Sequence, residues 1–188
     1  MASRKGKKRA GSRQPRAIAM LVEDHRKVQK LFKTFEKTED ESDQERLATE
    51  ICNELSVHAD LEEQVFYRAA REVLAEADLV DEAKVEHHVA RDLIEKIRNS
   101  RPQDGEYCAM VTVLGEYVNH HIEEEQNELF AQVKKSDLDL DALAEDMQKR
   151  KHELREQMGL EAEGGGELAA GAMQQRASQP SRSRAANR

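Results

Sequence analysis

Apolar residues recur at steps of three and four near the start of the chain, in the stripe Ile18, Leu21, His25, Val28, Phe32, Phe35, and this predicts a helix. The polar stretch KTEDESDQ ends it and offers Ser42 or Asp43 as the cap of a second helix, expected from about Asp43 to Ala77. The second stripe runs Ala48, Ile51, Leu55, His58, Glu62, Val65, Ala69, Val73. A turn near Asp78 leads to a third, Val80, Ala83, His87, Ala90, Ile94, Ile97. NSRPQDGE then breaks the pattern, because Pro and Gly end helices and shape turns. The fourth stripe is Tyr107, Met110, Leu114, Tyr117, His121, Glu125, continuing to Glu128 or Leu129 and Gln132 or Val133. A shorter fifth helix with Leu140, Leu143, Met147 and Leu154 follows Asp137 and is expected outside the bundle.

Each of the first four stripes carries a histidine, and the second and fourth add a glutamate one turn later. Residues four apart lie on one helix face, so His58 with Glu62, and His121 with Glu125, point to one spot. Four antiparallel helices with short links would gather four imidazoles and two carboxylates at the bundle axis. A single histidine on an apolar stripe is usually a hydrogen-bonded core residue. Four, with two acids that are costly to bury alone, call for compensation. Two divalent cations supply it, and neutral imidazole with carboxylate suits Fe, Mn or Zn. No thiolate lies on the set, which argues against a sulfur-ligated structural zinc.

Composition narrows the setting. One proline, Pro102, lies between Arg16 and Met158, and helix-forming residues dominate, so the fold class is all-α. The net charge of −8 is unevenly spread: +7 over residues 1–16, −16 over 17–158 and +1 over 159–188. Residues 1–16 read as a basic, disordered arm, residues 17–158 as the bundle with its short fifth helix, and residues 159–188 as a flexible tail. The arm, through residues 4–16, is a candidate for weak nucleic-acid contact, or else a solubilising segment. Cys52 and Cys108 form no CxxC pair and are both expected as small packed side chains in a reducing, cytoplasmic setting. No apolar run approaches a membrane span, and no signal-peptide segment is expected.

The segments EDHRKVQKLF, HADLEEQVFY, VEHHVARDLI and HHIEEEQNELF, over roughly residues 17 to 135, resemble the hemerythrin-like, HHE cation-binding domain family. The resemblance implies an up-down-up-down four-helix bundle around a non-haem di-iron centre with bridging carboxylates. Carried over by motif, the ligands are His25, His58, Glu62, His87, His121 and Glu125. His87 continues the apolar steps and is preferred to His88; His121 is preferred to His120, with Glu124 as the fallback partner of His120. His152 reads as a surface residue, and Glu63 as a solvated acid or a hydrogen-bond partner of a ligand histidine. Oxygen-transporting hemerythrins have a further histidine where this chain has Arg91. That position is expected to be filled by water, by Glu23 or Asp92, or by nothing, which argues against oxygen transport. The resulting expectation is a protein binding two Fe ions that senses or handles oxygen, nitric oxide, peroxide or iron. Its rivals are a peroxide-handling enzyme, a nucleic-acid-associated stress protein and a metal-free partner-binding bundle.

Overall fold

The computed structural model describes residues 14–75 and 78–160, so Arg4 to Arg13 of the basic arm and tail residues 161–188 lie outside the described residues. Among the described residues the chain is helical throughout. Helix α1 spans Arg16–Phe35 and starts directly after Pro15, a residue with no N–H to leave unpaired. Helix α2, Glu41–Leu61, is capped by Asp40, whose side chain accepts from the Asp43 N–H at 3.0 Å. The cap therefore precedes Ser42 and Asp43, and the helix starts earlier than the stripe predicts. It runs without a break through a π-helical segment, Glu62–Phe66, into α3, Tyr67–Val73. Next come α4, Asp78–Arg98, and α5, Tyr107–Glu124, which continues through a second π-helical segment, Glu125–Leu129, into α6, Phe130–Val133. Helix α7 spans Leu140–Gln157.

These make an up-down-up-down bundle in which α1 packs on α2 and α5, and α4 on the same two helices. Helix α7 lies against α1, α2 and the first π segment. With 18 residues it is shorter than each of the four rods and packs on the outside of the bundle, as expected. Asp139 caps it by accepting from the Asp141 and Ala142 N–H groups, and Gly159 ends it at φ 68°, a left-handed conformation that costs glycine nothing. Leu140, Leu143, Ala144, Met147 and Leu154 join the core, while Arg155 holds buried Glu54 at 2.9 and 3.1 Å.

The π segments correct the sequence reading. In each, a backbone N–H reaches five residues back, from Tyr67 to Glu62 and from Phe130 to Glu125. One inserted residue rotates everything after it by roughly 100°. The buried positions on the second rod are thus Phe66, Tyr67 and Ala70, not Val65, Ala69 and Val73; on the fourth they are Leu129 and Val133 of the alternatives the stripe offered, with Phe130 added. A layer of buried histidine and glutamate divides the apolar interior. One cluster, with Leu21, Leu61, Phe66, Phe130 and α7, lies on one side, and another, with Val28, Phe32, Ile51, Ile94 and Leu114, on the other. Cys52 is buried as expected; Cys108 is exposed, because Tyr107 and Val111 take the inward positions of that turn.

Candidate metal centre

All six sequence-predicted ligands are buried: His25, His58, Glu62, His87, His121 and Glu125. Glu62 is wholly enclosed. The Nε2 atoms of His25 and His58 lie 3.0 Å apart, and His58 Nε2 is 3.2 Å from Glu62 Oε2. His87 Nε2 approaches the same Glu62 oxygen at 3.4 Å, and His25 Nε2 approaches Glu125 Oε2 at 3.4 Å. Two trios, His25–His58–Glu62 and Glu62–His87–His121, bring one ligand atom per residue within 4.8 Å of one another. Glu62 belongs to both.

Whether these residues fit a cation is tested by their unpaired atoms. Glu62 Oε1, Glu125 Oε2 and His121 Nε2 are buried with no hydrogen-bond partner. Such lone pairs are costly in a dry interior unless something positive meets them. The electrostatics agree. Burial and the Glu62 charge push the Glu125 carboxyl well above the usual carboxylate range. Burial works the same way on Glu62, but His58, His87 and His25 outweigh it and hold that carboxyl below the usual range. Nitrogen and carboxylate oxygen without thiolate is a set for Fe, Mn or Zn.

The outward face of three imidazoles is hydrogen-bonded, and the fourth faces a carboxylate. Glu63 Oε1 lies 3.0 Å from His87 Nδ1 and Glu86 Oε2 2.6 Å from His121 Nδ1, whereas Asp24 Oδ2 faces His58 Nδ1 at an ion-pair distance of 3.7 Å, with neither atom hydrogen-bonded. Gln126 Nε2 is 2.9 Å from His25 Nδ1. The partners form a ring: α1 faces the α2 histidine, the first π segment the α4 histidine, α4 the α5 histidine, and the second π segment the α1 histidine. Such partners orient a ligand imidazole and raise its basicity. Each π segment also delivers an aromatic ring. Tyr67 stacks on His87 with centroids 5.5 Å apart, and Phe130 on His25 at 6.0 Å. One segment thus grips His87 with Glu63 and Tyr67, and the other grips His25 with Gln126 and Phe130.

The two grips differ in polarity. Burial lowers the His87 pKa, yet hydrogen bonds from Glu62 and Glu63 more than offset it, and the net shift is upward. On the other side burial and the His58 charge take His25 down to about 3. Tyr67 adds an oxygen that sequence reasoning missed. Its hydroxyl donates to Glu125 Oε1 at 3.0 Å and to Glu62 Oε2 at 3.3 Å, and lies 3.5 Å from His87 Nε2. Helical steps of three and four put Tyr67 off the stripe; its spacing of five from Glu62, repeated by Phe130 after Glu125, was the available signal.

Arg91 bonds outward, to Glu63 at 2.6 Å and Asp60 at 2.9 Å, and is in neither trio. Glu23 and Asp92 are exposed, so neither carboxylate completes the set. His88, His120 and His152 are exposed as expected, and Glu124 sits beside His120 at 3.3 Å. Next to the four histidines is a cavity of ≈ 30 Å³ whose other walls include Val28, Leu55, Ile94, Val118 and Ile122.

Comparison with known proteins places this geometry. Residues 16–133 match the Hemerythrin HHE cation binding domain. The chain belongs to that family. Its hemerythrin-type bundle is similar in fold to the crystal structure of an HHE cation binding domain-containing protein from Mycobacterium kansasii. The TM-score is 0.64 and identity 22%, over 74% of this chain and 86% of that one. The HHE chain is also 28% identical over 145 residues to a DNA nickase from Nostoc sp., a match covering 76% of this chain. It spans only 41% of that relative's length. No helix among the described residues is long and apolar enough to cross a membrane.

Proposed function

We propose that the two trios hold two iron ions, with Glu62 between them and Glu125 beside His25, and that the protein binds or senses a small oxidant or gas there. The observation that carries this reading is that two ligand trios share one fully enclosed carboxylate. Two divalent charges offset the two buried carboxylates and give the unpaired atoms of Glu62, Glu125 and His121 a partner. Bound iron would supply a redox-active Lewis acid. The protein's own groups do the rest. His25 and His58 hold one position, and His87 and His121 the other. Tyr67 would keep its hydroxyl, 3.0 Å from Glu125 Oε1, as a hydrogen-bond donor, since burial and the Glu125 and Glu62 charges raise its pKa. The adjoining cavity, ≈ 30 Å³, has room for a small molecule such as a diatomic or peroxide. Apolar walls favour an uncharged ligand there. The missing fifth histidine, with Arg91 turned to Glu63 and Asp60, separates this centre from the oxygen-transport pattern. The setting we infer is the cytoplasm.

Elemental analysis of the isolated protein with an anaerobic absorption spectrum tests the proposal. About two irons per chain are expected, with bands that change on reduction and on exposure to air. Metal-free protein that refuses iron would defeat it. Peroxide handling by the same ligands is checked by peroxide consumption of iron-loaded protein against Glu125→Ala. A second reading rests on the similarity to the DNA nickase. It expects salt-sensitive DNA retention that is lost on removing residues 4–13, and nicking of supercoiled plasmid that requires the metal.

A further inference from the structure

A pocket opens between α4 and the rod formed by α5, the second π segment and α6. Its lining includes Glu82, Glu86, Glu124, Glu125, Glu128 and His121, the rest is apolar, and its volume is ≈ 40 Å³. Five carboxylates meet there with no Lys or Arg in the lining. Exposure falls along it: Glu82 and Glu128 are exposed, the Glu124 side chain is 43% exposed, that of Glu86 13%, and Glu125 is buried. Partway in, Glu86 and Glu124 of the lining and the adjacent, exposed His120 bring ligand atoms within 4.8 Å of one another, with His120 Nε2 3.3 Å from Glu124 Oε1. Like charges so placed repel one another and are offset by a bound cation.

The inner end reaches the buried centre. Two of the lining residues, His121 and Glu125, are at least nine-tenths buried and carry unpartnered atoms, His121 Nε2 and Glu125 Oε2. Both are ligands of the proposed centre. Glu86 links the two levels, since it bonds His121 Nδ1 at 2.6 Å and belongs to the outer trio. The cavity on the other side of the histidines shares Glu86 but has no other carboxylate, includes Arg91, and is otherwise lined by the histidines and mostly apolar residues, so it offers a hydrated cation far less in exchange for its water than the five carboxylates do. Carboxylates at successive depths exchange it stepwise.

We propose that this acidic pocket is the loading port of the centre, and that Glu86, His120 and Glu124 form a transient site for a divalent cation on its way to His121 and Glu125. The proposal rests on the reading of the buried ligands as a metal centre. It assigns cations and small uncharged ligands to different routes.

The test follows Co²⁺ uptake by the chelator-stripped full-length chain, read by the growth of visible absorption, with far-UV circular dichroism to confirm equal helicity among variants. The double variant Glu124→Gln/Glu128→Gln, and separately His120→Gln, are compared with wild type and with Glu36→Gln/Glu95→Gln, which removes two exposed acids outside the pocket. For the double variant the initial rate at low salt is expected to fall about tenfold, with a flattened salt dependence and unchanged final cobalt per chain. The Glu36/Glu95 variant should load like wild type. Equal rates and salt dependence in wild type and the port variants would overturn the port and leave the centre standing. A lower final stoichiometry in the double variant would also overturn it, by making these side chains ligands. Failure of wild type to take up cobalt would remove the centre, and the port with it.

Discussion

Glu125→Gln separates what the buried carboxylate does without metal from what it does with it. In the metal-free chain burial and Glu62 push the Glu125 carboxyl upward and favour its neutral form, which an amide matches in shape. The Tyr67 hydroxyl, 3.0 Å from Oε1, can donate to the amide oxygen instead. Unfolding in chelator should therefore change by less than about 1 kcal/mol. With metal the expectation reverses. At free iron a thousandfold above the dissociation constant, binding adds about 4.1 kcal/mol to the stability of the wild type. An affinity loss of at least about a hundredfold, since losing even an outer-shell partner costs about 10–100-fold, would leave at most about 1.4 kcal/mol. At about 2–4 °C per kcal/mol for a chain of this size, the metal-induced rise in Tm should shrink from about 8–16 °C to at most about 3–6 °C. Anaerobic thermal melts with Fe²⁺ and with chelator measure both numbers. A full metal-induced rise in the variant, or an equal loss in chelator, would refute the reasoning.

Tyr67→Phe removes the donor to Glu125 and Glu62 and should cost about 2 kcal/mol in urea unfolding of the metal-free protein. Glu63→Ala takes the 3.0 Å prop from His87 Nδ1, and competition with a coloured chelator should show metal affinity about 10–100-fold weaker. His152→Ala, on an exposed surface of α7, should leave both stability and metal content unchanged by the same two measurements. Burial raises the Cys52 thiol to about 11, whereas Cys108 is exposed. Native protein at pH 8 should thus react with one equivalent of a thiol reagent, at Cys108, and with the second only after unfolding. Because the folded pKa of Cys52 lies above its ordinary value of 9.0, folding stability should fall as pH rises from about 9 toward 11, and Cys52→Ala should remove that part of the decline in melts across this range.

The six buried His and Glu positions were legible because helical periodicity holds without interruption up to Glu62 and Glu125. Past Glu62 it fails. A π insertion leaves no mark in hydrophobic steps of three and four, so those steps point to Val65 and Ala69 where the fold buries Phe66, Tyr67 and Ala70, whereas on the fourth rod steps of four from Glu125 still reach buried Leu129 and Val133. The histidine partners were illegible for a different reason. Asp24 and Glu86 immediately precede ligand histidines, but each serves a histidine on another helix, and which helix stands beside which depends on packing. The docking of α7 was hidden by a sequence poor in apolar residues, since ion pairs such as Lys151 with Asp24 at 2.7 Å and Arg155 with Glu54 supplement a narrow leucine seam. Those pairs are partly buried, where salt screens them less than it screens a surface pair.

The ring of props has a consequence for anyone recombining this protein with a relative. A rod transplanted alone would arrive with its own ligand, yet lack the residue that steadies it, and would withdraw a crutch from the rod next door. Hybrids exchanging one rod should lose function at two seams, whereas swapping all four together should preserve it. Drift at residue 24, 63, 86 or 126 is answerable to a histidine on a different rod.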